Sequence, residues 1–328
     1  MEGARRHFVQ AASALAASLA LPFARAQSGY PSRPVRIIVP YPPGGIVDIL
    51  ARLLGEKLQR SLGQPFVVEA RAGVGGNVGT AYVARNARGD PHTLLMGASG
   101  PLAPNVTLFK DLGYDPLKDL IPVTLVAATP LVLTLSTSAK VNSYPELIEF
   151  LKRDKDKVMV GSAGPGTPQH LTMELFRQLI GAGPTIVHYK GAPPMVNAML
   201  SGEVTFNFDN LALVLPHVRS GKLRALAVTS PKRSSELPDV PTMQELGLPG
   251  FEARGWYGLL APADVPDAII RKLNVESVAA LRQPDMVARL AGFGSESVAG
   301  TPEEFRAFIA AEIVKWRDVI KKANITAE

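Results

Sequence analysis

Three glycine-rich segments of the sequence have the composition of anion-binding loops. They span residues 40–48, 72–79 and 161–168, and each follows a short apolar run and precedes a helix-like pattern. Glycine lets the backbone approach a ligand closely, and a helix N-terminus presents unpaired N–H groups with a partial positive charge. Ligands of open α/β folds bind at the carboxyl ends of strands, where such turns lie. The three segments therefore predict a binding site for a small anion.

The second segment also invites interpretation as a dinucleotide-binding loop. Such a loop needs three glycines at fixed spacing, with an acidic residue about 20 positions further on at a strand end. Gly73 and Gly75 supply the first two glycines, but Val78 stands where the third is required. The acidic residue would be Asp90, which lies in a Gly-Asp-Pro turn. A loop for a smaller anion fits the sequence better.

Polar side chains near these segments have structural as well as functional interpretations. Asp48 is expected to cap the first helix or lie in its first turn, and Thr167 to cap the helix after the third segment. Ser162 is freer to contact a ligand. Asp209 ends a strand-like run, where it could contact a ligand or cap the next turn. The sequence has no Gly-x-Ser-x-Gly elbow, which argues against a hydrolase.

Cysteine and histidine give no indication of a metal site. The chain has no cysteine, which excludes disulfides, zinc–thiolate sites and thiol nucleophiles. The histidines at positions 92, 170, 188 and 217 share no metal-ligand spacing, and we expect no cofactor. Because no nucleophile with a general base and an orienting partner is visible, we predict a binding protein and not an enzyme.

Short strand-like runs alternate with helical patterns along the chain. Residues 35–39 read as a strand, and the apolar spacing from residue 48 to 62 predicts a helix that Gly63 ends. The same alternation continues through residue 228. This order predicts an α/β fold with mainly parallel strands, and 328 residues are enough for two lobes.

The N-terminus has the pattern of an export signal. Arg5 and Arg6 precede an apolar stretch over residues 11–21, and Ala24-Arg25-Ala26 offers a signal peptidase site. We therefore expect cleavage after Ala26. The paired arginines are compatible with the twin-arginine route and with an ordinary signal. Both routes predict a periplasmic protein.

The formal charge of +6 is spread along the chain. Loss of residues 1–26 would lower it to +4, because that segment carries three arginines and one glutamate. No block of five or six like charges occurs, so we expect no nucleic-acid partner. The mean hydropathy of +0.11 and the single long apolar run argue against a polytopic membrane protein.

The sequence resembles the extracytoplasmic receptors of the tripartite tricarboxylate transporter family, the Bug-type binding proteins. Val39 to Asp48 reads Val-Pro-Tyr-Pro-Pro-Gly-Gly-x-x-Asp, and Gly75 to Gly79 reads Gly-Gly-Asn-Val-Gly. The further matching segments are residues 30–36, 62–65, 114–116, 161–167, 188–191, 221–229, 237–242, 258–262 and 301–305. The matches keep their order along almost the whole chain after the signal, which makes the resemblance specific.

The resemblance implies a type II periplasmic-binding-protein-like fold, with two α/β lobes, two crossover segments and a ligand cleft between the lobes. We expect residues 1–26 to be the signal peptide, residues 27–130 with 251–328 to form lobe 1, and residues 131–250 to form lobe 2. A ligand carboxylate would be held mainly by backbone N–H groups and bridging waters. The contact residues expected are Tyr41, Pro42, Gly44, Gly45, Asp48, Gly75, Gly76, Asn77, Ser99, Ser162, Gly166, Thr167 and Asp209.

By the same resemblance, the protein is a receptor that closes on a small organic acid and delivers it to the permease subunits of a tripartite transporter. A sensor protein is an alternative partner, and an exported enzyme acting on a carboxylate is an alternative of another class. We expect a monomer. Val47 stands where the family usually has Thr or Ser. A dicarboxylate is the first expectation, and a less polar monocarboxylate or an aromatic acid stays open.

Overall fold

A computed structural model provides the structure of the chain. It describes residues 29–154, 158–164, 166–181, 183–189 and 192–326. The signal peptide expected over residues 1–26 lies outside the described residues. No helix in the described part of the chain is long and apolar enough to cross a membrane.

The strands and helices alternate along the chain, as the sequence predicts. The strands are β1 (Val35–Val39), β2 (Phe66–Ala70), β3 (Thr93–Ala98), β4 (Leu120–Ser136), β5 (Met159–Ser162), β6 (Thr185–His188), β7 (Phe206–Asn210), β8 (Leu223–Val228), β9 (Arg254–Pro262) and β10 (Glu296–Ser297). The helices are α1 (Ile46–Leu62), α2 (Asn77–Asn86), α3 (Ser99–Leu102), α4 (Asn105–Leu108), α5 (Tyr144–Asp154), α6 (Pro168–Ile180), α7 (Ala192–Ser201), α8 (Leu211–Arg219), α9 (Asp267–Leu281), α10 (Pro284–Gly292) and α11 (Pro302–Ala323).

The first lobe is built on a sheet with the strand order β2-β1-β3-β9-β4, with β10 pairing with β4. β1 runs parallel to β2 and β3, whereas β9 is antiparallel to both of its neighbours. Parallel strands need crossover helices, and these cover both faces of a sheet. α1 and α9 pack together beside this sheet, and α2 contacts β1, β3 and β9. The loops that follow β1 and β3 therefore emerge at one edge.

The long strand β4 joins the two lobes. Residues 120–130 pair with β9 in the first sheet, and residues 131–136 pair with β7 and β8 in the second. The second sheet has the order β8-β4-β7-β5-β6, and β5 is parallel to both of its neighbours. The chain returns to the first sheet between β8 and β9. Two chain crossings thus connect the lobes, and the ends of β5 and β7 face the loops of the first sheet.

Helix α11 contacts elements of both lobes. It packs against β4, against α4 of the first lobe and against α6 of the second. The buried carboxylate of Glu312 accepts hydrogen bonds at 2.9 Å from the indole Nε1–H of both Trp256 and Trp316. Lys315 pairs with the same carboxylate, so the buried charge is neutralised. This network fixes α11 to β9 at the base of the cleft.

Candidate functional site

The first glycine-rich loop follows β1 and ends at α1. The N-cap of α1 is Gly45, which has no side chain to accept the first-turn N–H groups. Gly44 adopts a φ of +85°, a left-handed conformation that favours glycine, and Pro42 is exposed. Sequence analysis placed Gly44, Gly45 and Pro42 at a ligand, and the structure leaves all three at the surface of the loop.

Asp48 stabilises the conformation of this loop through hydrogen bonds. Its carboxylate accepts hydrogen bonds from the Gly44 N–H at 3.1 Å and from Nε and Nη2 of Arg52, both at 3.0 Å. The pair with Arg52 and the bond from Gly44 hold the pKa of Asp48 below its usual range, although burial raises it. Asp48 is 4% exposed, so its charge is paired inside the loop and does not face an incoming anion.

Val47 belongs to the core and not to the cleft. It is 5% exposed and packs in the cluster that contains Leu50 and Leu54. The replacement of the usual Thr or Ser therefore changes the inner face of α1. It carries no information about the polarity of the ligand.

The second glycine-rich loop is locked to the first. Four successive residues, Gly73 to Gly76, have positive φ values of 149°, 43°, 62° and 95°. The Tyr41 hydroxyl donates to the carbonyl of Gly75 at 3.0 Å. A methyl group on Gly76 would lie 2.9 Å from the Tyr41 hydroxyl oxygen, so glycine is required there. Burial raises the pKa of Tyr41, so this hydroxyl stays a donor.

Asn77 and Ser99 lie behind these loops. Asn77 is 7% exposed, and its side-chain oxygen accepts from Nδ2 of Asn105 at 2.7 Å and from the Tyr114 hydroxyl at 3.4 Å. Tyr114 also donates to the carbonyl of Pro101 at 2.7 Å. Ser99 begins α3 and is 7% exposed. The Asn77 amide therefore ties α2 to α4 within the first lobe.

Polar groups in the described part of the third glycine-rich loop form hydrogen bonds with one another. The hydroxyl of buried Ser162 exchanges hydrogen bonds with the backbone of Gly164 at 3.2 Å. Thr167 is the N-cap of α6, as predicted: its hydroxyl accepts from the His170 N–H at 3.4 Å and donates to the Gly164 carbonyl at 2.7 Å. The N–H of Gly166 donates to Nδ1 of His170 at 3.0 Å. This amide is therefore already paired within the loop.

His170 is a structural residue that sequence analysis missed. It is 5% exposed, and its ring packs edge-on against His188 at 4.6 Å between centroids. Burial, with the positive fields of His188 and Arg177, lowers the pKa of His170 to about 4. Its Nε2 lies 3.8 Å from Glu174. The signal was its position four residues after Gly166, in the first turn of α6, where a side chain reaches back to the loop.

The third loop also meets the first lobe. A methyl group on Gly166, which has a φ of +72°, would lie 2.8 Å from Cδ1 of Leu108 in α4. The two lobes are thus in contact on this side of the cleft.

Asp209 is a buried carboxylate that is half satisfied. Its Oδ1 accepts from Nε2 of Gln169 at 3.0 Å and from the Asn210 N–H at 2.8 Å. Its Oδ2 has no hydrogen-bond partner among the described residues. Burial raises the pKa of Asp209 to about 6, against these two hydrogen bonds. The carboxylate lies in β7, one residue before the wall of the cleft.

A cavity of about 360 Å³ lies between the lobes on the side of α1 and α8. Its lining consists of Gly44, Ile46 and Ile49 from the first lobe, Asn210, Ala212 and Leu213 from the second, Thr129 and Tyr257 from β4 and β9, and Phe293 after α10. This volume is in the range of small-molecule sites. Gly44 is the one predicted contact residue in the lining formed by described residues. The sequence placed Ile46 in the first glycine-rich segment and Ile49 in the following helix, and it predicted neither as a contact residue.

Comparison with known proteins identifies the family of this chain. Residues 50–325 match the family model described as tripartite tricarboxylate transporter family receptor. The chain belongs to this family. It is 42% identical to Protein BugT of Bordetella pertussis over 295 residues, which are 90% of each protein. The family and its fold are those of solute-binding receptors and not of enzymes.

Among the solved structures that share this fold are two with a bound acid. A Rhodopseudomonas palustris protein with adipate is 35% identical, has a TM-score of 0.79, and covers 90% of this chain and 99% of its own. MatC of Rhodopseudomonas palustris, with bound malate, is 33% identical, has a TM-score of 0.75, and covers 89% and 100%. The fold class and the family that the sequence predicted are therefore confirmed.

Proposed function

We propose that the protein captures a small organic acid in the cavity between its lobes and delivers it to the permease subunits of a tripartite transporter. The observation that carries the proposal is the open N-terminus of α1 at the edge of this cavity. Its N-cap is a glycine, and Gly44 and Ile46 on either side line the cavity. First-turn N–H groups and the helix dipole favour a carboxylate at this position.

Relatives support an acid as the ligand. The solved structures with this fold include a protein with adipate and a protein with bound malate. In this chain Asp48 is neutralised by Arg52, so the loop presents N–H groups without a competing negative charge. A carboxylate at the N-terminus of α1 would meet donors already in place.

Lobe closure supplies the mechanism. The cavity has walls from both lobes, so a ligand in it contacts both only when the cleft is closed. A ligand shifts the equilibrium toward the closed form by its difference in affinity for the two forms. The permease would then recognise the closed form. We further propose that residues 27–130 with 251–328 form one lobe and residues 131–250 the other.

Export belongs to the same proposal. The family is one of periplasmic binding proteins, and the basic and apolar pattern before Ala26 supports cleavage after that residue and release of the mature chain into the periplasm.

A thermal-shift screen of residues 27–328 against mono-, di- and tricarboxylates tests the function. A ligand at 100 times its dissociation constant stabilises the folded state by about 2.7 kcal/mol, which gives a clear increase in Tm. Amino acids and neutral sugars serve as comparison ligands. If no carboxylate raises the Tm of protein freed of co-purified ligand, the proposal is wrong.

A further inference from the structure

The cavity walls are largely apolar. Ile46 and Ile49 contribute to the lining from α1, Leu213 from α8 and Phe293 from the segment after α10. Among the described residues that line the cavity, none is Lys, Arg or His. The site therefore offers an anion backbone N–H groups and neutral side chains, and apolar surface to the rest of the ligand.

The two helix N-termini at the cavity differ in access. A methyl group on Gly45 would have only the Pro42 carbonyl oxygen within 4 Å among the described residues, at 3.8 Å, so the start of α1 is open. A methyl group on Gly294 would lie 2.7 Å from the Ala212 nitrogen. The backbone after Phe293 therefore covers the first turn of α8. The start of α1 can therefore receive a carboxylate, whereas the start of α8 is obstructed.

The polar side chains that line the cavity are neutral, and one of them already forms a hydrogen bond within the protein. The Thr129 hydroxyl shares a hydrogen bond of 2.8 Å with the hydroxyl of Ser295. Burial raises the pKa of Tyr257 to about 12, so its phenol is uncharged at neutral pH. Asn210 adds an amide. These groups fit a neutral polar substituent and give no cationic partner to a second carboxylate.

We infer that the ligand is a monocarboxylate with an apolar alkyl or aromatic body, which binds with its carboxylate at the backbone N–H groups of Gly45–Val47 and its body against Ile49, Leu213 and Phe293. This inference rests on the proposed function and names the ligand class of the same site. The dicarboxylate expected first from the sequence gives way to the less polar alternative.

A second carboxylate on the ligand is disfavoured because it would lose its hydration in the cavity. A carboxylate moved out of water without an opposite charge or a full set of donors loses much of its solvation free energy. An apolar chain end gains free energy on the same surface, because its transfer out of water is favourable. A monocarboxylate should therefore bind at least about tenfold more tightly than the dicarboxylate of equal chain length.

Isothermal titration of residues 27–328 with two matched pairs of acids tests this inference. Hexanoate and adipate share a six-carbon chain, and benzoate and terephthalate share a ring. We expect the monocarboxylate of at least one pair to bind and to exceed its partner by about tenfold or more. Equal or tighter binding of the dicarboxylate in a pair that binds would overturn the inference and leave the proposed function standing. If none of the four acids, nor any other carboxylate of the screen, binds, the proposed function itself is contradicted.

A charge placed in the wall gives a second test. Ile49→Arg puts a cation beside the body of the ligand, so the ratio of dicarboxylate to monocarboxylate affinity should rise by about tenfold. Val275→Arg adds the same charge on α9, where Val275 is 63% exposed and outside the cavity lining. This control should leave the ratio unchanged. An unchanged ratio in folded Ile49→Arg, or an equal rise in both variants, would overturn the inference.

Discussion

The glycine-rich loops of the two lobes lead into helices that begin in different ways. In the first lobe the N-caps of α1 and α2 are Gly45 and Gly76, which have no side chain to accept the first-turn N–H groups. In the second lobe α6 begins at Thr167, whose hydroxyl caps the helix. His170 takes up the N–H of Gly166 as well. The start of α1 therefore keeps donors for a ligand. At the start of α2 the N–H groups of Asn77 and Val78 donate to the carbonyls of Val74 and Gly73, and the third loop also uses its own donors.

This difference shows what makes a glycine loop a binding loop. All three segments combine glycine, a preceding strand and a following helix, which is the pattern expected of an anion site. Ser, Thr, Asn and Asp at the N-cap take up these donors, and backbone carbonyls of the loop can do the same, as at the start of α2. In the third loop the glycines serve close packing, since Gly166 meets Leu108 of the other lobe.

The largest effect is expected at the open loop. Gly45→Val should abolish detectable carboxylate binding, because a branched side chain at the N-cap blocks access to the start of α1. Gly45 has a φ of −77°, which valine accepts. Stability should therefore fall by less than about 1 kcal/mol. Titration calorimetry and urea unfolding measure the two quantities, and Gly29→Val at an exposed, unobstructed position is the control. Normal affinity in folded Gly45→Val would remove the first loop from the site.

A glycine from each lobe gives the next comparison. Gly76→Ala combines a positive φ with contacts of 2.9 Å and 3.1 Å to Tyr41 and Pro101, and should lower the free energy of unfolding by about 2–4 kcal/mol. Gly166→Ala also has a positive φ but meets the mobile end of Leu108, so the loss should be about 1–2 kcal/mol. Equal losses in urea unfolding would show that the two loops are equally constrained.

The contribution of the third glycine-rich loop to stability should decrease at acid pH. In the folded state the pKa of His170 is lowered to about 4, below about 6.5 for the unfolded chain. The unfolded chain therefore binds a proton first as the pH falls, and the free energy of unfolding should decrease by up to about 3 kcal/mol between pH 6.5 and 4. Protonation of His170 at Nδ1 would also break the hydrogen bond that the Gly166 N–H donates to this nitrogen. His188, Glu174 and Arg177 are the ionisable neighbours.

His170→Gln isolates this contribution. Glutamine lacks the titration, so the difference in free energy of unfolding between wild type and variant should shrink as the pH falls. Asp209, whose raised pKa of about 6 acts in the opposite direction, titrates in both proteins and cancels. His217→Gln, a half-buried histidine in α8, is the control. Parallel pH profiles for wild type and His170→Gln would contradict the assignment.

The smallest effect is expected at the cap of the third loop. Thr167→Ala removes the hydroxyl that caps α6 and should cost about 1 kcal/mol of stability. Because this hydroxyl bonds within its own loop, the affinity for a carboxylate should change by less than about twofold. A loss of affinity of about tenfold or more, with the fold intact, would make Thr167 a ligand contact after all.

The two-lobed fold was expected from the family resemblance, whereas the expectation of mainly parallel strands was wrong, because β4 pairs antiparallel with β7, β8, β9 and β10. The sequence predicted the alternation of strands and helices and the positions of the loops, because periodicity and turn residues are local signals. It placed Thr167 at its cap for the same reason. It did not predict that Val47 faces the core or that Asp48 is neutralised by Arg52 behind the loop, because both depend on how α1 is rotated against its sheet. The cavity could not be predicted from the sequence either. Ile49 and Leu213 lie far apart in the sequence and line it together only because the two lobes approach each other there.

The most direct test is a crystal structure of residues 27–328 with a carboxylate that raises its Tm. We expect carboxylate oxygens within about 3 Å of backbone nitrogens at Gly45–Val47, with the rest of the ligand between α1 and α8. A carboxylate bound instead to the backbone of Gly164 and Gly166, with the first loop empty, would contradict it.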